Sequence, residues 1–239
     1  MAAAALCFGV SSVVAPSKVV FLLDVDNTLF DNDRFAADLS AQLQQSFGAA
    51  QRDRYWALYA QRRARLGFAD YLGALEDFRA GVAGERVLLE MSAFLLDYPF
   101  AQQLYPRALE TIEYLRTMGQ PVVLSDGDVI FQPRKIQRSG ISAAVAGRVL
   151  LCVHKQSELE LMQRVFPATH YMMVDDKPQL LAVMKQVLGA RLTSVFVRQG
   201  HYAVDSVGAR LDPPPDITIE CIGDLINHGS THELHATFS

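Results

Sequence analysis

The chain has 239 residues, a length that is enough for one large domain or for a main domain with an insertion. Half of its residues are hydrophobic, which indicates a globular protein. Its 22 basic and 26 acidic residues give a formal charge of -4, which argues against general binding to the phosphate backbone of nucleic acids. No run reaches the roughly 18 apolar residues of a membrane span, so neither nucleic acid nor a membrane is an expected partner. Cys7, Cys152 and Cys221 are few and far apart, which favours reduced thiols in a cytoplasmic protein over disulfides.

The N-terminal residues 1–17 are rich in Ala and Val. A signal peptide would have a Lys or Arg before its apolar stretch, and none is present here. We therefore predict a poorly ordered N-terminal extension. Residues 19–23 then form a short, wholly apolar and β-rich run. This pattern predicts a strand that is buried on both faces.

Helical patterns fill the next part of the chain. Asp33 is the predicted N-cap of a helix in which apolar residues recur every four positions, namely Phe35, Leu39, Leu43 and Phe47. Helix signals continue over residues 55–66, 71–79 and 85–96, with no strand among them. We predict an inserted all-helical cap over residues 34–97, between two parts of a core, 18–33 and 98–226. One helix carries aromatic and basic residues that can either reach a substrate or form the centre of the cap: Tyr55, Trp56, Tyr59, Arg62, Arg63 and Arg65.

Helices and strands alternate after the insertion. A helix with Leu109, Ile112 and Leu115 facing inward comes first. The predicted strands cover residues 121–124, 147–153, 171–174, 193–197 and 217–221, and the helices between them cover 134–138, 158–165 and 179–188. This rhythm predicts an α/β fold with a doubly wound, parallel, Rossmann-like sheet. The polar residues 227–239 are predicted to form a frayed tail.

Polar side chains follow the ends of the predicted strands. Asp24 and Asp26 come directly after residues 19–23, Ser125 follows the next strand, and the pair Asp175-Asp176 follows residues 171–174. Open α/β sheets bind their ligands at the C-terminal ends of the strands, so we expect these side chains to meet in one crevice. Lys155 follows another strand and is placed to reach the same crevice.

A crowded group of carboxylates indicates a nearby cation, because unpaired buried carboxylates lose solvation and repel one another. The set suits phosphoryl transfer, since Mg²⁺ with oxygen ligands would screen a phosphate from an attacking carboxylate, and Lys155 would add positive charge. Asp24 is then the predicted nucleophile, which forms an aspartyl-phosphate that water hydrolyses.

The remaining polar residues divide the other roles. Asp26 is predicted to protonate the leaving oxygen and then to activate the hydrolytic water. Ser125, together with backbone amides around Asp126 and Gly127, is predicted to hold the transferring oxygens. Lys177 or Lys135 stays open as an alternative to Lys155 for the contact with phosphate.

Three other site types are compatible with some of these residues. A calcium loop starting at Asp24 fails, because Leu29 and Phe35 stand where its Gly and Glu should be. Ser125 could be a hydrolase nucleophile, although Val123 stands where the nucleophile elbow requires Gly. The candidate bases for that serine are His154, His170 and His201. A zinc site in the polar tail is set aside, since solvated side chains are commoner there; its ligands would be Cys221, His228, His232 and His235.

The order of these motifs, namely Asp-x-Asp-x-Thr, a strand-end Ser, a Lys and then Asp-Asp, resembles the haloacid dehalogenase-like superfamily, chiefly its phosphatases. The resemblance spans about residues 18–226. It implies a Rossmann-like core, an inserted helical cap and a Mg²⁺ cofactor. It also implies the catalytic roles given above for Asp24, Asp26, Ser125 and Lys155.

The resemblance further implies a set of metal ligands. These are Asp24, the backbone carbonyl of Asp26, and Asp175, with Asp176 supporting or sharing the ligation. Two positions depart from the usual pattern of the superfamily. Asn27 replaces the common Gly after the second Asp, and Gln156 replaces the frequent Pro after the Lys.

A small phosphorylated metabolite is the expected substrate. A dehalogenase would use Asp24 on carbon and needs neither a metal nor a second acid, so Asp26 and Asp175-Asp176 favour phosphate esters. Phosphonate cleavage is disfavoured, because it needs a Schiff-base lysine in the cap and the sequence has no lysine between Lys18 and Lys135. A phosphomutase, with the same apparatus, and a catalytically idle scaffold remain alternatives, and the sequence does not predict the oligomeric state.

Overall fold

One sheet runs through the centre of the protein, and the computed structural model describes residues 6–8, 16–82, 85–206 and 210–230. In these residues the strands are β1 (Leu6–Phe8), β2 (Ser17–Leu23), β3 (Gln120–Asp126), β4 (Val149–Cys152), β5 (Ala168–Asp175), β6 (Leu192–Val197) and β7 (Ile217–Ile219). The sheet order is β1-β4-β3-β2-β5-β6-β7. Strands β2 to β7 pair in parallel, and β1 pairs with β4 in the antiparallel direction.

Helices cover both faces of this sheet. In the described residues they are α1 (Asn32–Phe47), α2 (Ala49–Leu66), α3 (Tyr71–Arg79), α4 (Glu85–Asp97), α5 (Ala108–Arg116), α6 (Phe131–Arg138), α7 (Ile141–Ala144), α8 (Leu159–Val165), α9 (Pro178–Leu188), α10 (Gly200–Asp205) and α11 (Asp224–Ser230). Short 3₁₀ turns lie at Phe100–Gln103, Lys155–Ser157 and Gly189–Arg191.

Alternate side chains of β2 enter two separate apolar cores. Phe21 and Leu23 pack into the larger core, on the face that also carries α1 and α5, whereas Val20 and Leu22 pack with α8 and α9 on the other face. A strand buried on both faces needs apolar residues at every position, which is why this segment has no polar alternation. The sequence prediction of a doubly wound, parallel α/β fold is thereby confirmed.

After β4 the chain crosses to the other side of β2, where the remaining strands are added. Strand β2 lies centrally, with β3 and β4 on one side and β5, β6 and β7 on the other. Such a switch point opens a crevice at the C-terminal ends of the strands. In the register, Leu23 of β2 lies opposite Val174 of β5 and Val123 of β3. The residues that follow these three positions therefore meet at the same crevice.

Four consecutive helices, α1 to α4, stand between β2 and β3. Phe35 of α1 joins them to the core, because its ring lies 5.1 Å from that of Tyr71 in α3 and 5.4 Å from that of Phe131 in α6. Inside the insertion, the buried Tyr55 hydroxyl donates a hydrogen bond to the Tyr71 carbonyl at 2.9 Å. The limits 34–97 of a separate cap stay a prediction, and α1 to α4 are called the cap helices below.

Several element boundaries differ from those expected. The N-cap of α1 is Asp31, which accepts from the Arg34 amide at 2.8 Å, and not Asp33, whose carboxylate bonds elsewhere. Leu109 is exposed rather than inward, because Ala108, Ile112 and Leu115 form the buried stripe of α5. Helix α10 was not predicted, since six residues carry too little periodic pattern to show.

The two chain ends are only partly described. Near the N-terminus, Leu6–Phe8 form β1, which pairs with the edge of β4 that β3 leaves free. The poorly ordered extension over residues 1–17 otherwise stays a prediction. Residues 1–5 and 9–15 lie outside the described residues. Helix α11 runs to Ser230, beyond the predicted start of the polar tail at residue 227, and residues 231–239 lie outside the description. No helix in the described ranges is long and apolar enough to cross a membrane.

Candidate active site

The chain turns sharply where β2 ends, and this turn carries the first two carboxylates. The backbone amide of Phe30 closes it by donating to the Val25 carbonyl at 2.9 Å. Asn27 lies in the left-handed region, at φ 60°, a conformation that Asn adopts more easily than most residues. The Asn27 side-chain carbonyl accepts from the amides of Asn32 and Asp33, at 3.0 and 3.2 Å. Asn27 therefore ties this turn to the start of α1.

Lys155 lies between two carboxylates of the crevice. Its fully buried ammonium donates to Asp24 Oδ1 at 2.5 Å and to Asp175 Oδ2 at 2.7 Å. Burial by itself lowers the pKa of Lys155, but the charges of Asp175 and Asp24 outweigh it and raise the pKa well above its usual value. Lys155 is therefore a cation that offsets part of the negative charge of this pair.

Asp176 is a buried carboxyl group, and neither of its oxygens has a hydrogen-bond partner in the described structure. Burial, followed by the charges of Asp175 and Asp24, raises the pKa of Asp176 to about 9. One oxygen from each of Asp24, Asp175 and Asp176 lies within 4.8 Å of the others. These three residues fit a hard cation that prefers oxygen ligands, such as Mg²⁺, because it would satisfy oxygens that the protein leaves without a donor.

The end of β3 and the glycine after it carry the groups that are predicted to hold the transferring oxygens: Ser125, Asp126 and Gly127. The Ser125 hydroxyl is buried and accepts from Gln132 Nε2 at 2.9 Å. Asp126 Oδ1 accepts from the Lys155 amide at 2.8 Å, so it fixes the loop that carries this lysine. The Gly127 amide donates to the Cys152 carbonyl at 3.2 Å. This amide extends the pairing of β3 with β4, and the contact between Gly127 and a transferring oxygen stays a prediction.

Helix α6 adds two polar side chains, Gln132, which has no predicted role, and Lys135, which is predicted only as an alternative to Lys155 for the contact with phosphate. Gln132 Nε2 also donates to Asp26 Oδ2 at 3.3 Å, and the Lys135 ammonium donates to Asp26 Oδ1. Lys135 is completely buried, whereas the side chain of Asp26 is 23% exposed. Lys177 lies near Asp24 as well: burial lowers its pKa, but the charges of Asp24, Asp175 and Asp176 together outweigh burial and raise the pKa. The site therefore gathers three lysines, of which Lys155 alone contacts Asp24 directly in the described residues.

Core and cap residues together line a cavity of about 80 Å³ at this crevice. The core contributes Asp26 and Lys177, and α2 contributes Tyr59 and Arg63. The Arg63 guanidinium contacts the hydroxyl of Tyr202, which belongs to α10 on the far side of the cavity. The aromatic and basic helix of the sequence analysis thus serves both purposes, since Tyr59 and Arg63 reach the cavity while Tyr55 is buried inside the cap.

The structure bears on the serine-nucleophile alternative, whereas the zinc alternative falls mostly outside the described side chains. The hydrogen bonds of Ser125 in the described structure run to Gln132 and to the Asp126 carbonyl, and none reaches a histidine. His201 instead bonds Asp33 Oδ1 through Nδ1 at 2.7 Å. Of the four zinc candidates, only Cys221 has a described side chain, and the other three lie outside that description.

The comparison with family models gives a match over most of the chain. The family described as haloacid dehalogenase-like hydrolase matches residues 19–186, which include Asp24, Ser125, Lys155 and Asp175-Asp176. The chain belongs to this haloacid dehalogenase-like hydrolase family. A comparison with curated proteins finds no match.

Solved structures agree with this membership. The chain is 50% identical to a haloacid dehalogenase-like hydrolase from Burkholderia xenovorans LB400, with a TM-score of 0.83 over 90% of this chain and 98% of that one. It shares its fold with an L-2-haloacid dehalogenase from Xanthobacter autotrophicus, at 18% identity, a TM-score of 0.56, and coverage of 89% and 98%. A magnesium-bound HAD-hydrolase from Bacillus subtilis, YfnB, has 13% identity, a TM-score of 0.59, and coverage of 87% and 97%.

Some residues of this haloacid dehalogenase-like hydrolase site lie outside the motifs used to recognise it. Gln132 and Lys135 are one helical turn apart, on the same side of α6 as the buried Phe131 and Ile136. A polar pair on an otherwise apolar stripe is the signal that could have found Gln132 and the contact of Lys135 with Asp26, since the sequence names Lys135 only as an alternative contact for phosphate. His201 follows β6, on a helix too short for its pattern to be read, and no such signal exists for it.

Asn27→Ala is expected to destabilise this hydrolase by about 1–2 kcal/mol. The substitution removes the side-chain acceptor of two amides at the start of α1 and places Ala at a positive φ. Urea unfolding of both proteins measures the difference. Asn27→Gly is the matched variant, because it loses the same acceptor while relieving the backbone; a wild-type midpoint for Asn27→Ala would contradict the capping role.

Proposed function

We propose that this hydrolase is a Mg²⁺-dependent phosphatase that acts on a small phosphorylated metabolite through an aspartyl-phosphate on Asp24. The observation that carries the proposal is the pair of buried, unpartnered oxygens of Asp176 beside Asp24 and Asp175. Displacement of halide from carbon has no use for a cation at this point, whereas transfer of a phosphoryl group does. The presence of Asp26, a second acid that lines the cavity, supports the same choice.

Each residue then has a role in two displacements. A carboxylate oxygen of Asp24 forms a bond to phosphorus as the bond between phosphorus and the ester oxygen breaks, and Asp26 gives its proton to that leaving oxygen. Asp26 next takes a proton from water, whose oxygen bonds to phosphorus and releases phosphate from Asp24. Lys155 orients Asp24 and reduces its repulsion of the incoming phosphate.

The proposed metal ligands are Asp24, the backbone carbonyl of Asp26, Asp175 and Asp176. When bound, Mg²⁺ would supply the positive charge that lets a carboxylate approach a phosphate. Asp175 is held for this by the Lys177 amide, which donates to Asp175 Oδ1 at 2.9 Å. The small cavity supports a substrate with few atoms beyond the phosphate, and Arg63 of α2 supports one that carries a polar or anionic group there.

A phosphate-release screen tests the proposal. Sugar phosphates, glycolate-type phosphates and nucleoside phosphates are each incubated with the protein in Mg²⁺ and in chelator. We expect release from at least one small ester in Mg²⁺ and loss of that activity in chelator. Activity that survives the chelator would contradict the metal role. A protein that binds Mg²⁺ but turns over none of the esters would instead support the idle-scaffold alternative.

Carbon chemistry is the second candidate. A structural relative of the chain is an L-2-haloacid dehalogenase from Xanthobacter autotrophicus with chloropropionic acid covalently bound, at 17% identity and a TM-score of 0.56. Asp24, which accepts a hydrogen bond from Lys155, would be able to attack either the carbon of a haloacid or the phosphorus of a phosphate ester. Chloride release from 2-chloropropionate, measured beside the phosphate screen, separates the two. Chloride release without phosphate release would favour the dehalogenase.

Mg²⁺ is expected to raise the Tm of the wild-type protein, because binding to the folded state alone stabilises that state. Asp176→Asn should differ from the wild type both in its Tm in chelator and in the shift that Mg²⁺ causes. In chelator at neutral pH, its Tm should rise by about 2–4 °C. Burial and the charges of Asp175 and Asp24 raise the pKa of Asp176 to about 9, so the wild-type carboxyl group must take up a proton on folding, a cost that Asn does not carry. Added Mg²⁺ should then shift its Tm little. Differential scanning calorimetry of both proteins measures the four values, and an equal Mg²⁺ shift in both would contradict the assignment of Asp176.

A further inference from the structure

Helix α6 presents two side chains to one carboxylate. Lys135 donates to Asp26 Oδ1 and Gln132 donates to Asp26 Oδ2, so both oxygens of Asp26 are held from the same helix. The same Gln132 amide donates to the Ser125 hydroxyl at 2.9 Å. Asp26 keeps further acceptor capacity, because a carboxylate offers about four lone-pair sites. It therefore remains able to contact a substrate in the cavity that it lines.

Burial of the Lys135 ammonium costs solvation free energy. Its side chain is completely buried, with the ammonium 5.1 Å from the ring centre of Phe30 and 5.6 Å from that of Phe131. Its other described acceptor is Asn32 Oδ1, at 3.3 Å. Replacing a buried ion pair by well-packed apolar residues is often neutral or stabilising, so such a pair is weak evidence for a role in stability. Its location at the proposed acid/base residue indicates a role in the reaction instead.

The space for this arrangement comes from Gly127. A Cβ at residue 127 would lie 2.7 Å from both Cβ and Cγ of Gln132, which is too close for the Gln132 side chain to stay in place. The glycine after Asp126 therefore lets α6 approach β3 closely enough for Gln132 to span Ser125 and Asp26. This accounts for Gly127 through packing, since its amide is already bonded to Cys152.

We propose that Lys135 is a positioning residue, which acts on the reaction through Asp26 by holding its carboxylate at the angle needed to reach the leaving oxygen, with Gln132 holding the other side. The inference rests on the proposed phosphatase function and extends it to residues outside the four motifs. Misplacing a catalytic group by an ångström costs about 10²-fold in rate, which sets the size of the expected effect.

Two small esters that differ in their leaving group test the proposal. Ethyl phosphate releases an alcohol, which needs a proton from Asp26, whereas acetyl phosphate releases a carboxylate, which departs without one. Because Asp26 also serves the hydrolysis of the aspartyl-phosphate, which both esters share, the step to compare is release of the leaving group in the first turnover. For Lys135→Met, we expect this rate to fall about 10²-fold for ethyl phosphate and only a few-fold for acetyl phosphate. Arg138→Met, on the exposed side of the same helix, is the matched control and should retain wild-type rates for both esters.

A double variant shows whether Lys135 acts through Asp26. If it does, Asp26→Asn combined with Lys135→Met should be no slower than Asp26→Asn alone, because effects of residues that act as a unit do not add. Full additivity, or an equal loss in the first-turnover rate of leaving-group release for both esters, would overturn the inference, as would a lower Tm with unchanged rates. If the wild-type protein hydrolyses neither these two esters nor any ester of the phosphate-release screen, the proposed function and the inference fall together, so the two failures are distinguishable.

Discussion

Asp24→Asn is expected to lower kcat for phosphate-ester hydrolysis by about 10⁴-fold or more. The amide cannot attack phosphorus, and no other described carboxylate replaces it, because Asp175 is bonded to Lys155 and Lys177 and Asp176 is buried beside it. The measurement is phosphate release in Mg²⁺ from the best ester of the screen. KM should change much less than kcat, since Ser125 and Lys155 are untouched.

Asp53→Asn is the matched control for this variant. Asp53 is a carboxylate on α2 whose side chain is 67% exposed, and it pairs only with the neighbouring Arg52 in the described contacts. Its rate should equal that of the wild type. A fully active Asp24→Asn protein would remove Asp24 from the role of nucleophile and, with it, the two-step mechanism.

Lys155→Met is expected to lower both activity and stability. The ammonium bridges two buried carboxylates, and its loss leaves them uncompensated, which should decrease the free energy of unfolding in chelator by about 3–5 kcal/mol. We also expect kcat to fall about 10²–10³-fold, as when one charge-stabilising donor is removed. Urea unfolding and phosphate release measure the two effects.

Mg²⁺ should restore part of the lost stability of Lys155→Met, because a bound cation offsets the same carboxylates. Lys18→Met is the control, since Lys18 is exposed at the start of β2 and should show neither effect. A Lys155→Met protein as stable as the wild type in chelator would mean that the buried carboxylates are not charged in the folded state. Its kcat would then show whether Lys155 still matters for the reaction.

Much of the fold and of the site could be predicted from local sequence patterns. The apolar run of β2 and the polar residues directly after it are a short-range signal, because the end of a buried strand is fixed by where its apolar residues stop. The same holds for Asp175 and Asp176 after β5, and the parallel sheet then brings these ends together. The structure places Asp24, Lys155 and Asp175 in direct contact, as the order of the motifs implied.

The contacts that were missed depend on the approach of distant elements. Lys135 reaches Asp26 only because α6 packs closely against β3, and that approach depends on the absence of a side chain at Gly127. His201 reaches Asp33 across a separation of 168 residues, from a helix too short to be seen in the pattern. Gly127 itself was assigned by its place in the loop, and the pairing of its amide with Cys152 depends on the β3–β4 register. Such distances between elements are set by packing, which a single sequence does not display.

Beryllofluoride binding tests the central claim most directly, because it requires no knowledge of the substrate. This anion mimics a phosphoryl group on an aspartate carboxylate, and fluorine NMR distinguishes the bound from the free form. We predict bound fluoride signals for the wild-type protein in Mg²⁺, and none in chelator or for Asp24→Asn. Bound signals of equal strength in Asp24→Asn, or none in a wild-type protein whose Tm shows that it binds Mg²⁺, would contradict the account.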